Sequence, residues 1–130
     1  MKFVFFVQGE GRGHMTQAIA LAKILNDAGH QVSRVLVGKS QVREIPPFFY
    51  EKINAPVETF ESPNFTRDSQ NRGIRITATI FNNLTKAGKF FATTKRLKKI
   101  IELENPDGIV NFYELLAGMV FKFYNPGIPF

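Results

Sequence analysis

The sequence predicts an α/β domain in which a parallel sheet is wound on both faces by helices. Three observations carry that prediction. Short apolar runs of strand length alternate with segments of helical period along the 130 residues. The first run, Phe3 to Val7, is apolar throughout, as in a strand covered on both faces rather than one. It then passes through a glycine loop straight into a helical pattern, the connection found in strand–helix–strand units with a parallel sheet.

The elements follow in order. Phe3-Val4-Phe5-Phe6-Val7 is the first strand. From Met15 the period changes, with Ile19, Ala22, Leu25 and Ala28 on one helical face and Gly29 as the C-terminal stop. Gln31 to Val37 is valine-rich and reads as a second strand ending at Gly38. Lys39 to Ile45 is expected to form a short helix stopped by Pro46-Pro47, followed by the aromatic cluster Phe48-Phe49-Tyr50. Val57 to Phe60 is a short third strand, and Ser62 to Arg72 a polar loop. Gly73 to Glu104 lacks proline and repeats Ile76, Ile80, Leu84, Ala87, Phe91, Leu97 and Ile101 at helical spacing. A single helix of that length would span roughly 45 Å, so a bend is expected near Asn82-Asn83 or Gly88. Pro106-Asp107 leads into a fourth strand, Gly108 to Asn111, and Tyr113 to Tyr124 forms the last helix, ended by Asn125-Pro126-Gly127. Gly127-Ile128-Pro129-Phe130 then reads as the lead-in to another strand, so residues 1–130 are expected to be one incomplete domain of a longer protein.

Composition narrows the function classes. A chain of this length buries about two-thirds of its unfolded surface in one core. With no cysteine and two histidines, disulfides, thiol chemistry and a metal cage are not expected. The N-terminal apolar run is too short for a signal peptide and no later run approaches a membrane span, so a cytoplasmic location is expected. A net charge of +6 favours anionic partners such as nucleotides, nucleic acid or an acidic lipid surface. Lys86, Lys89, Lys95, Arg96, Lys98 and Lys99 crowd one segment with no acid until Glu102. Within Leu84 to Ile101 they stand beside Phe90, Phe91, Leu97 and Ile101, a pattern suited to peripheral contact with the inner face of a membrane. The same stripe is equally what a sheet-covering helix needs, with its lysines in water. No nucleic-acid motif accompanies the charge, so a nucleic-acid role has less support.

Gln8-Gly9-Glu10-Gly11-Arg12-Gly13-His14 is the most specific stretch. Its glycines clear the backbone around one imidazole at the head of a helix, where free N–H groups and the positive dipole end favour an anion. The dinucleotide fingerprint G-x-G-x-x-G is incomplete here, because its third glycine is His14 and Val37-Gly38-Lys39 stand where the ribose-binding acid belongs, although Lys39 and Arg43 leave a 2′-phosphate site, and so NADP, as an alternative. Gly38-Lys39-Ser40 imitates the end of a P-loop, yet the required first glycine is Ser33 and the loop would run through a strand.

Gly9-Glu10-Gly11-Arg12-Gly13-His14 instead resembles the N-terminal glycine loop of GT-B glycosyltransferases, nearest to the group of the peptidoglycan N-acetylglucosaminyltransferase and the galactolipid synthases. A second likeness is Asn105-Pro106-Asp107 before the fourth strand, Asn111-Phe112-Tyr113-Glu114 after it, and then a helix and Gly127-Ile128-Pro129. Asn111 stands where such relatives tend to carry aspartate, and Tyr113 lengthens the shortest spacing by one residue. The resemblance implies a Rossmann-like N-terminal half that binds the acceptor, with a second half gripping a nucleoside-diphosphate sugar. It implies transfer to a hydroxyl acceptor, which in membrane-associated relatives is lipid-linked, with neither metal nor further cofactor. His14 would then be the base that deprotonates the acceptor. Gly9, Glu10, Gly11, Arg12 and Gly13, with Asn111 and Glu114, would contact substrate: the glycines by close backbone approach, Arg12 on a phosphate or carboxylate, Glu10 on a sugar hydroxyl. A capping histidine, an exposed arginine and a glutamate that merely complements a helix dipole are the structural alternatives. A nucleotide-sugar epimerase of the same fold, or a non-catalytic nucleotide- or nucleic-acid-binding module, are the alternatives for the whole chain.

Overall fold

The computed structural model describes residues 1–62 and 87–130. β1 (Lys2–Gln8) lies inside a four-stranded sheet, with β2 (Gln31–Lys39) and then β3 (Val57–Glu61) on one side and β4 (Gly108–Phe112) on the other. Every pairing is parallel. The fold is thus α/β and Rossmann-like, as the alternating pattern predicted. The chain lays its strands outward from β1 to β3 and then returns across β1 to place β4, so the winding direction reverses beside β1. In open parallel sheets that reversal opens a crevice at the carboxyl ends of the two strands, where ligands bind.

Burial explains the unbroken apolar run of β1. Phe5 and Val7 pack against α1 (Arg12–Asp27) and α2 (Pro47–Lys52), while Val4 and Phe6 pack against α3 (Ala87–Glu104) and α4 (Leu115–Tyr124). All four side chains are fully buried, each contributing about 2 kcal/mol of transfer free energy. The first layer adds Met15, Ala18 and Ala22 of α1 with Phe49 of α2; the second adds Leu97 and Ile101 of α3 with Leu116 and Val120 of α4.

A register shift in β2 sets the phase of that strand. Phe3 pairs with Val32 but Val4 pairs with Arg34, leaving Ser33 as the extra residue. Val32 and Val35 consequently share one core despite their odd spacing. Arg34 faces α3, where its Nε donates to Glu104 at 2.7 Å and its guanidinium reaches Glu58 of β3 at 3.5 Å. Desolvation works against the charge of Glu104, but the hydrogen bonds from Arg34 and Ser33, with the charges of Arg34 and Lys2, hold its carboxyl below the usual range.

Helix ends account for the differences from expectation. α1 closes in a Schellman turn, with Gly29 at φ 79°, its N–H donating to Asn26 O and that of His30 to Leu25 O; Ala28 is exposed rather than on the buried face. Lys39 to Ile45 is not a helix. β2 runs on to Lys39, Ser40 N–H is held by Glu10, and the only regular bond within the turn is Arg43 N–H to Ser40 O at 3.3 Å. The proline pair starts a helix instead of stopping one: Pro46 is extended and Pro47 opens α2, where a missing N–H costs nothing. The last helix begins at Leu115 rather than Tyr113, with Glu114 as its N-cap.

At the edge of the sheet, Ile109 N–H of β4 donates to Pro129 O at 2.8 Å, and Phe130 stacks on Phe121. In the basic segment, Phe90, Leu97 and Ile101 are buried against the sheet while Phe91 is half exposed. Lys89 pairs with Glu61, Arg96 with Glu58 and Lys98 with Glu102. The readings made for 63–86, including the bend near Asn82-Asn83 and the contributions of Leu84 and Lys86, lie outside the described residues. Among the described residues, no helix is long and apolar enough to cross a membrane.

Candidate functional site

The crevice beside β1 is bordered by the loop after β1 and the turn after β4. The first is anchored to the exit of β2. Gly9 N–H donates to Gly38 O at 2.7 Å, Arg43 Nε donates to Gly9 O at 3.1 Å, and Glu10 Oε1 accepts from Ser40 N–H at 2.6 Å. Gly9 is a packing requirement, since a Cβ there would meet Ile45 Cδ1 at 2.8 Å and Gly38 O at 3.1 Å. Gly11 and Gly13 differ, with no atom within 4 Å of the space a Cβ would take. Gly11 is the N-cap of α1, extended and without a side chain to close the helix; no acid stands in the first turn. The N–H groups of that turn are therefore left without a side-chain cap. Arg12 is exposed and His14 partly buried; His14 Nδ1 is buried and has no hydrogen-bond partner among the described residues.

The turn after β4 is built the opposite way. Glu114 is 1% exposed and turns its carboxyl inward. One carboxyl oxygen accepts from Ala117 N–H at 3.0 Å, closing the N-terminus of α4, and the other accepts from the Ser62 hydroxyl at the end of β3. Burial raises its proton affinity, opposed by the Ser62 hydroxyl and the N–H groups of Ala117, Leu116 and Leu115, and the carboxyl ends above its ordinary range. Gly38 makes the space: a Cβ there would lie 2.5 Å from Glu114 Oε1. Asn111 brackets the same residue, with Oδ1 accepting from Glu114 N–H at 2.8 Å and Nδ2 donating to Glu114 O at 3.1 Å.

Held between them, Tyr113 adopts φ 60° and is 78% exposed. Its ring lies 5.0 Å from that of His14, tilted by 33°. The structure thus brings together His14, Tyr113 and the open first turn of α1. Glu10, Asn111 and Glu114 hold the loops that carry them, with Glu10 fixing the first loop and the other two the second. Tyr113 went unread as a site residue, because a left-handed aromatic leaves no mark in a sequence. Its position directly after a strand at the sheet's carboxyl edge is the one signal that points to it. Gly38 and Ser62 were missed because their partner is Glu114, far away in sequence. Among the described residues, no cluster of three or more His, Asp or Glu side chains has metal-ligand geometry. No protein-family model, no curated protein and no solved structure matches this chain.

Proposed function

We propose that this chain is the acceptor-side half of an inverting GT-B glycosyltransferase that uses a nucleoside-diphosphate sugar. The supporting observation is the meeting of His14 and Tyr113 across the crevice, 5.0 Å apart between ring centres. The two stretches that resemble the family, near opposite ends of the sequence, thereby share one site. In this reading a hydroxyl acceptor lies against the open turn of α1. The His14 imidazole takes the hydroxyl proton as the acceptor oxygen bonds to the anomeric carbon, and the bond to the diphosphate breaks with the electron pair leaving on the diphosphate. The unpartnered N–H groups of α1 supply positive potential to that departing charge. The donor is gripped by a second half outside residues 1–130.

The experiment is turnover by the natural protein that carries this chain. UDP-, GDP- and dTDP-hexoses are supplied with saccharide and lipid-linked hydroxyl acceptors, and release of the nucleoside diphosphate is followed. Acceptor-dependent release is expected, falling by about 100-fold or more in His14→Ala, the usual worth of a positioned base. Release that ignores the acceptor, or turnover indifferent to His14→Ala, refutes the assignment.

A further inference from the structure

We infer that Tyr113 is a stacking platform for the pyranose ring of a bound carbohydrate, with His14 at its side. The inference rests on the glycosyl-transfer reading for the choice of carbohydrate; the platform itself is argued from backbone, exposure and ring geometry. Four non-glycine residues among those described have positive φ, and three of them, Asn54, Asn105 and Asn125, are asparagine. Asparagine is the residue that tolerates this conformation best after glycine. Tyr113 is the exception, and a large aromatic side chain is disfavoured there.

Folding gains nothing from the choice. Tyr113 is 78% exposed, so its side chain contributes little to the core, and its neighbours hold the turn. Asn111 grips both backbone polar groups of Glu114, and Glu114 is fixed in turn by Ala117 and Ser62. Strain that the surroundings over-determine, carried by a residue with no packing role, marks a functional position. The direction of the ring indicates its use. One side meets the His14 imidazole at a 33° tilt, and with so much of the residue exposed the ring keeps a solvent-accessible surface. An open aromatic face offers a flat, electron-rich surface to C–H groups. A pyranose presents such groups on its ring face and hydroxyls around its rim, so a sugar can lie on the exposed part of the Tyr113 ring.

The test separates strain from stacking. The natural protein that carries this chain is titrated with methyl β-D-glucopyranoside and with N-acetylglucosamine, following ring resonances of Tyr113 and His14 by NMR. Both rings are expected to shift on saturation. Tyr113→Phe should keep the affinity within about 3-fold, whereas Tyr113→Asn should weaken it by about 10-fold or more, the order of one stacking contact, while leaving Tm unchanged or higher. Absence of pyranoside binding, binding that shifts other residues, binding of uridine but not pyranoside to Tyr113, or a lower Tm in Tyr113→Asn each overturns the inference. Failure of the transfer reading is distinguishable: pyranoside binding at Tyr113 without turnover removes the transferase and keeps the platform. Turnover with an acceptor KM unmoved by Tyr113→Asn removes the platform alone.

Discussion

Gly38→Ala tests the claim that the end of β2 is cleared for a buried carboxyl. The new Cβ would stand 2.5 Å from Glu114 Oε1 and 2.8 Å from its Cδ and Cγ. The obstructing atoms belong to a side chain, so the backbone does not clash and the cost falls on what that side chain does. Moving the carboxyl breaks the cap on Ala117 N–H, worth about 1 kcal/mol. It also leaves the Ser62 hydroxyl, in a residue only 7% exposed, without its acceptor, for about 1–2 kcal/mol more. Gly38→Ala should therefore destabilise the chain by roughly 2–3 kcal/mol. The decisive measurement is the double-mutant cycle with Glu114→Ala, read by urea unfolding followed with circular dichroism. With the carboxyl already gone, the methyl enters vacated space and should cost less than about 1 kcal/mol, a coupling of the size expected for residues in contact. Equal costs in both backgrounds would show that Gly38 answers to something other than Glu114, and the account of the turn would fail.

Two further predictions concern charge. The folded chain holds the Glu114 proton at pH values where the unfolded chain has released it. Stability should accordingly fall as pH rises from the ordinary glutamate range through the raised value. Glu114→Gln should flatten that part of the stability–pH profile, and parallel profiles for the two proteins would contradict the buried-carboxyl assignment. Glu104 has the opposite sign: its stabilisation is present above the ordinary range and is lost as pH falls through its lowered value. Its side chain is 17% exposed and that of Arg34 34%, so Arg34→Gln should cost about 1–2 kcal/mol near neutrality, between the surface and buried limits. The gap should narrow in acid; a gap independent of pH, measured by urea titration, would place the contribution of Arg34 in packing rather than in its ion pair.

What was legible in the sequence follows the range of the forces involved. β1 was readable because burial on both faces leaves an uninterrupted apolar signal, β4 because Pro106-Asp107 leads into the short run Gly108-Ile109-Val110, and the end of α1 because Gly29 supplies a left-handed turn locally. α2 was misplaced because a proline pair fits both the end of one helix and the start of another. The continuation of β2 to Lys39 and the tie between Glu10 and Ser40, both set by tertiary contacts, exclude the earlier helix. The shift at Ser33 had a visible trace, since Val32 and Val35 break strict alternation while both being buried. The start of α4 was misread by two residues because capping by Glu114 depends on a carboxyl turned inward, which requires Gly38 beneath it. His14 was legible from its loop. Its neighbour Tyr113 was not, because the pairing exists only once β1 and β4 lie side by side.

The three glycines of the first loop, alike in the sequence, divide into two functions in the fold. Gly9 is pressed against Ile45, Val37 and the Gly38 carbonyl and serves the junction of β1 with β2. Gly11 and Gly13 face empty space, and Gly11 leaves the N-terminus of α1 without a side-chain cap. The opposite wall inverts this arrangement, because α4 is closed by its own glutamate. One helix end at the crevice thus lacks a side-chain cap while the other is capped by its own glutamate. Asparagine rather than aspartate at 111 suits the sealed wall. Its amide donates to the Glu114 carbonyl and accepts from the Glu114 N–H at once, whereas an ionised carboxylate can only accept. A second carboxylate there would also stand beside the buried Glu114 and raise the cost of its charge. Asn111 therefore holds the turn by hydrogen bonding alone, and the unsatisfied groups at the crevice are concentrated on the wall that carries His14.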